Sequence, residues 1–167
     1  MNEIFIRRSI RKFLDKPVEK EKVERILKAA MQAPSAHNQQ PWHFVVIDDP
    51  KALNKIRTMR EGARPLQTAP LAIALVIDPV LKAPARVPQD MGAATQNLML
   101  QAVTEDLGTC WIGTYPDIDT MNEVRELLDI PNDYEPYAVI ACGYPDGEEN
   151  QFVDRYQESR IKYNNWR

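Results

Sequence analysis

Hydrophobic positions along the chain change period several times, and each change marks an element. In "EKEKVERILKAAMQA", residues 19–33, Val23, Ile26, Leu27, Ala30 and Met31 recur at helical spacing, which predicts an amphipathic helix with those residues inward. Glu19 and Glu21 suit the positive end of that helix, and Ala33-Pro34-Ser35 ends it. A strand is predicted at about 42–48. Asp49-Pro50 breaks it, and residues 50–60 read as a short helix. "PLAIALVID", 70–78, is apolar almost throughout, the pattern of a buried central strand. Pro79, Pro84 and Pro88 make 79–88 a loop, after which 88–107 forms the longest helix, with Met91, Ala94, Leu98, Val103 and Leu107 on its buried side. "GTCWIG", 108–113, predicts a short strand. Residues 119–128 predict a helix with Met121, Val124, Leu127 and Leu128 inward, stopped by Pro131, and "YAVIACGYP", 137–145, a further buried strand.

Helices and strands alternate without the even strand–helix–strand rhythm of a doubly wound sheet. The expectation is one α+β domain over residues 1–167 with about four internal strands. The last segment, 146–167, is polar but carries Phe152, Tyr156, Tyr163 and Trp166, too many aromatics for a free tail. It is expected to extend along another surface, such as a second subunit.

Composition narrows the classes. Hydrophobic residues at 44% and charged residues at 27% are ordinary for a soluble globular chain. With 21 basic against 24 acidic residues the net charge is −3, which argues against a general polyanion binder. Cys110 and Cys142 sit in apolar runs without metal-ligand spacing, as expected of a reduced cytoplasmic compartment. No apolar run approaches the roughly 18 residues of a membrane span. The start, "MNEIFIRRSIRKF", is broken by charge every few residues and does not read as a signal peptide.

Phosphate-loop, dinucleotide-fingerprint, zinc-protease and hydrolase-elbow motifs are all missing, and the two histidines, His37 and His43, make a poor metal site. Two polar clusters remain. In Arg7-Arg8-Ser9-Ile10-Arg11, a helix beginning near residue 3 would project Arg7 and Arg11 to one side, where guanidinium forks suit phosphate. A solvated helix face with ordinary ion pairs accounts for the same run, and nucleic-acid binding is disfavoured by the acidic balance. "SAHNQQ", 35–40, supplies a hydroxyl, an imidazole and three amides. That density suits the polar edge of a heteroaromatic ring, or equally a turn whose side chains cap backbone groups. Trp42 is expected in the core rather than stacked on a ring.

"RRSIRKF" at 7–13, "APSAHNQQPWHFVV" at 33–46 and "DLGTCWIG" at 106–113, followed by "GYP" at 143–145, are together similar to the motifs of the FMN-dependent nitroreductase family, over essentially the whole chain. The resemblance implies a nitroreductase-like fold, with a central mixed or antiparallel sheet flanked by helices, in an intertwined homodimer. It implies FMN at the interface, NADH or NADPH as donor, a nitroaromatic, quinone or similar acceptor, and a ping-pong cycle. By motif position, Arg7 and Ser9 would contact the FMN phosphate, with Arg8 near the ribityl–phosphate region and Arg11 near the N1–C2 edge. Pro34, Ser35, Ala36 and Asn38 would come from the partner, and the backbone of Trp111, Ile112 and Gly113 would run past N5. Arg64 would lie near the ring system. Arg155, with Arg160 as the fallback, would reach the phosphate from the C-terminal segment. His37 would line the substrate pocket, or face solvent. The stretch between Asp78 and Pro88 leaves little room for the extra helices that cover the pocket in larger members. The resemblance also admits another flavin-dependent role on the same scaffold, such as flavin fragmentation, dehalogenation or sensing.

Overall fold

The computed structural model describes residues 3–59 and 61–166. Nine helices and strands are formed among them: α1 (Glu3–Ile6), α2 (Lys20–Met31), β1 (Trp42–Ile47), α3 (Pro50–Ile56), β2 (Leu71–Ile77), α4 (Val87–Thr104), β3 (Gly108–Gly113), α5 (Ile118–Leu128) and β4 (Glu135–Gly143). The strands form one sheet in the order β1-β2-β4-β3, and every neighbouring pair is antiparallel. The α+β expectation therefore holds, with a wholly antiparallel sheet.

β2 lies at the centre and is buried along its whole length. Its alternate residues feed two cores. Leu71, Ile73, Leu75 and Ile77 meet Ile26 and Ala30 of α2 and Met91, Ala94 and Leu98 of α4. Ala72, Ala74 and Val76 face the other way, toward Leu53 and Ile56 of α3, Leu66, and Val124 of α5. The small side chains on that second face let the shorter elements approach closely. Asp49 accepts hydrogen bonds from the N–H groups of Lys51 and Ala52 at the start of α3, and Asp117 caps α5 by accepting from Thr120 N–H.

Some local expectations differ. Met31 falls on the helical stripe of α2, in its last turn, but is exposed. The long helix begins at Val87, with Pro88 inside its first turn, where a missing N–H costs nothing. β4 runs Glu135–Gly143, starting and ending two residues before the strand expected over 137–145. The helix expected over 50–60 ends at Ile56, and its last position, Arg60, lies outside the described residues. Between Asp78 and Val87 the chain makes only a short 3-10 turn, Pro84–Arg86, so no helix rises there. Residues 151–166 are exposed throughout, with Tyr163 79% and Trp166 86% accessible, and Met1, Asn2 and Arg167 lie outside the described residues. No described helix is long and apolar enough to cross a membrane.

The α2–α4 layer is locked at one end by Glu105, just past α4. Its carboxylate takes two 2.7 Å hydrogen bonds from Arg25 and one of 2.9 Å from Gln101, while its main-chain oxygen accepts from Lys22 Nζ at 2.6 Å. The Arg25 guanidinium holds the Glu105 carboxyl below its ordinary value. A depressed folded-state pKa contributes stability that is present above the unfolded value, about 4.3, and is lost as pH falls through the folded value. Glu105→Gln should therefore lower the melting temperature at pH 7 and narrow its gap from the unaltered chain as the pH drops below about 4. A constant gap from pH 7 to pH 3 would count against this lock.

Candidate functional site

The N-terminal arginines are not carried on a helix. α1 ends at Ile6, and from Arg7 the chain runs extended beside β3. Ile10 N–H donates to Thr109 C=O at 2.9 Å, Ser9 bridges Thr109 in parallel, and Phe13 bridges Pro145. Two physical reasons favour this path. Arg7 and Arg11 at helical spacing would repel each other, while the open edge of β3 offers main-chain partners. Ile10 and Phe13, both buried, anchor the segment, and Ile10 packs directly over Gly108.

The polar ends of the chain complete the clamp. Arg8 N–H donates to Asn150 Oδ1 at 2.9 Å, Asn150 Nδ2 donates to Leu107 C=O at 3.1 Å, and Arg11 N–H donates to Glu148 Oε2 at 2.5 Å. Asn150 and Glu148 carry no sequence signal for this task, since they look like any polar residues in a polar tail.

Three arginines converge on one cavity. Arg7, Arg8 and Arg155 line a space of about 460 Å³ together with Gln96, Phe5, Phe152 and Tyr156. Asp154 also lines it, with its Oδ1 accepting from Tyr156 N–H at 3.0 Å. Burial, then Arg155 and Arg8, push the Arg7 guanidinium below its ordinary value. Arg8 Nη1 donates to Arg7 C=O at 2.7 Å, whereas Arg8 Nη2 is buried with no protein partner. A buried charged donor left orphaned is costly, and an anion bound beside it removes that cost. Ser9 lines the adjoining cavity with Arg8, Asp106 and Glu148. Arg160 lies on a separate exposed turn and is not among the residues lining the Arg7 cavity.

Beyond Thr109, the alternation of main-chain groups along an antiparallel strand turns Trp111 and Gly113 toward the same outer edge as Thr109. A Cβ placed on Gly113 meets nothing within 4 Å, so space lies open over it. Thr109 and Thr114 hold buried hydroxyls without partners along this strand. Ile112 points its side chain into the core, and the same alternation turns its main-chain groups toward Val139 of β4. The Trp111 and Tyr115 rings each lie 5.9 Å from that of Tyr137. Arg11 is exposed, with Nη1 donating to Ser9 C=O at 3.1 Å. Arg64 is exposed on the turn Glu61–Gln67, which packs near β3.

The 34–40 loop stands apart. His37, Asn38 and Gln40 all take positive φ (52°, 52° and 47°), a strained setting for residues with side chains. Ser35 Oγ accepts from Gln40 N–H at 3.0 Å, and Gln40 Nε2 donates to Asn38 Oδ1 at 2.9 Å. Several of the polar side chains thus serve the turn itself. Pro34, Ser35, Ala36 and exposed His37 line a cavity of about 410 Å³ with Arg86, Gln89 and Asp90 of the α4 start. This cavity is separate from the arginine cavity of the same chain. Trp42, as expected, is core.

The extended arginine segment thus lies along the edge of a four-stranded antiparallel sheet, with the polar loop elsewhere. The family model described as "Nitroreductase family" matches residues 4–76 and 62–144. A protein of Archaeoglobus fulgidus, provisionally named NADH dehydrogenase/NAD(P)H nitroreductase, is 41% identical over 98% of this chain and 96% of its own length. The crystal structure of a provisionally named NADH oxidase from Clostridium acetobutylicum superposes with a TM-score of 0.95 at 42% identity, covering 98% of this chain and 99% of that one. An FMN-dependent nitroreductase from Clostridium difficile R20291 follows at 0.88 and 34%, covering 99% of each chain. The chain belongs to the nitroreductase family of oxidoreductases.

Proposed function

We propose that this chain is an FMN-dependent oxidoreductase that works as a cytoplasmic homodimer. The observation that carries the reading is the cavity shared by Arg7, Arg8 and Arg155, with its excess positive charge and orphaned Arg8 Nη2. Such a site suits the dianionic phosphate of a mononucleotide. Arg7, Ser9 and Arg155 hold that phosphate, and Arg8 neutralises the ribityl–phosphate region. FMN held there would supply the redox chemistry, hydride transfer from NADH or NADPH followed by reduction of a nitroaromatic, quinone or similar acceptor in a ping-pong cycle.

The chain's own residues position and polarise. Arg11 stabilises negative charge at the N1–C2 edge, and Arg64 adds positive potential near the ring. The backbone of Trp111, Ile112 and Gly113 would run past N5, and the space over Gly113 would permit a close approach. Pro34, Ser35, Ala36 and Asn38 of a second copy close the other side, and His37 stands at the pocket rim. Residues 146–167 pack on that copy, which would cover the exposed Tyr156, Tyr163 and Trp166. With no helix between Asp78 and Val87, the acceptor pocket is open or closed by the second copy.

The purified protein is expected to be yellow and to bleach under anaerobic NADH or NADPH. Colour that is indifferent to both donors would favour another flavin role, such as fragmentation, dehalogenation or sensing. A colourless preparation that cannot be reconstituted with FMN would defeat the reading.

A further inference from the structure

The 34–40 loop holds three consecutive-turn strains yet is not held by its own contacts alone. Asp90, in the first turn of α4, is buried, and both of its oxygens are used by the loop. Oδ1 accepts from Ala36 N–H at 3.0 Å and Oδ2 accepts from Gln39 Nε2 at 2.6 Å. Gln39 is then read from its other end. Its Oε1 accepts from Lys82 N–H at 3.1 Å and Ala83 N–H at 2.9 Å, and its Nε2 also reaches Ala83 C=O at 3.3 Å. The amide orientation is thereby determined. Flipping it would set a carbonyl against the Asp90 carboxylate and an NH₂ against two N–H groups.

We propose that Asp90 and Gln39 form a polar latch that positions the Ser35–Gln40 loop for flavin, tying it to α4 and to the 79–86 segment as one body. Both are positioning residues, which act through the backbone of Ala36 and the strained residues that follow it. The inference rests on the flavin reading above. Its physical basis is that positive φ at His37, Asn38 and Gln40 persists only where the surroundings over-determine the backbone. Asp90, Lys82 and Ala83 supply that determination from outside the loop, through Ala36 N–H and the Gln39 side chain, and the same cavity wall includes Pro34, Ser35 and Ala36, the residues assigned to flavin contact.

Donor–acceptor polarity makes the latch testable. Asp90→Asn keeps an acceptor for Ala36 N–H but turns an NH₂ toward the Gln39 NH₂. Gln39→Glu keeps the acceptor for Lys82 and Ala83 but sets a carboxylate against Asp90. The double variant Asp90→Asn/Gln39→Glu restores a donor facing an acceptor. FMN affinity should be measured by flavin fluorescence quenching on apoprotein whose circular dichroism matches the unaltered chain, with Gln39→Ala as a milder truncation. Each single variant is expected to weaken FMN binding about tenfold, as for loss of a hydrogen bond to a charged group, and the double variant to recover most of it.

Binding by the unaltered chain with equal affinity in all four variants would overturn the latch alone. Weakening that the double variant fails to reverse, or that tracks a fall in melting temperature, would also overturn it, because the residues would then be merely structural. An unaltered chain that binds no FMN would overturn the flavin reading, and this one with it.

Discussion

Arg7→Ala and Arg155→Ala are each expected to purify with less flavin than the unaltered chain and to bind added FMN about ten- to hundredfold more weakly. A hydrogen bond to a charged group contributes about 1.5–3 kcal/mol, and each 1.4 kcal/mol is tenfold in affinity. The structure also predicts the sign of the effect on the apoprotein. Arg7 is partly buried, and that burial first, then Arg155 and Arg8, push its guanidinium below the ordinary value. Removing it relieves repulsion, so apo Arg7→Ala should melt no lower than the unaltered apoprotein, while the stabilisation that FMN confers should shrink. Arg160→Ala serves as the control, because Arg160 lies off the cavity. Full flavin content in both Arg7→Ala and Arg155→Ala would refute the phosphate assignment. Loss confined to Arg160→Ala would move that role to the other end of the tail.

Gly108→Ala is expected to cost about 1–3 kcal/mol of stability by overpacking, or roughly 3–10 °C in melting temperature for a domain of this size. A Cβ there meets Ile10 Cγ1 at 2.5 Å, Cβ at 2.6 Å and Cγ2 at 2.9 Å. Ile10 Cβ is fixed by the backbone, so no rotamer change relieves the contact, and the whole 7–11 segment has to move off β3. Because that segment carries the arginines, FMN affinity should fall together with stability. Gly113→Ala makes the opposite case on the same strand. Its Cβ meets nothing within 4 Å, so the melting temperature should hold while FMN binding or its reduction by NADH falls. Calorimetry beside a flavin titration separates the two. A Gly108→Ala protein as stable as the unaltered chain would show that Ile10 is free to shift.

Much of the fold is legible in the chain because it follows from local period. The continuous apolar run of β2 needs cover on both faces, and the stripe of α2 supplies part of that cover. Where a neighbour decides, the pattern misleads. Ile10 and Phe13 stand at helical spacing beside three arginines, yet the segment is extended because β3 presents an unpaired edge and Gly108 a place without a side chain. Met31 keeps the helical phase of α2 but is exposed.

The site divides in the same way. Residue chemistry and motif resemblance single out Arg7, Arg8, Ser9, Arg11, the 34–38 loop, Arg64, the 111–113 backbone and Arg155 from sequence alone, since guanidinium forks, amides and glycines advertise what they can bind. Asp90, Gln39, Asn150 and Glu148 do not stand out, because a buried acceptor and a solvated one are the same letter in the chain. What the sequence by itself determined is an α+β domain of the nitroreductase family and the kinds of group its site contains. Tertiary structure alone decided that Arg155 meets Arg7, that the loop lines a different cavity, and which polar side chains hold backbone rather than ligand. The physical reason is that period and propensity act over a few residues, whereas charge accumulation and hydrogen-bond satisfaction depend on which distant segments packing brings together.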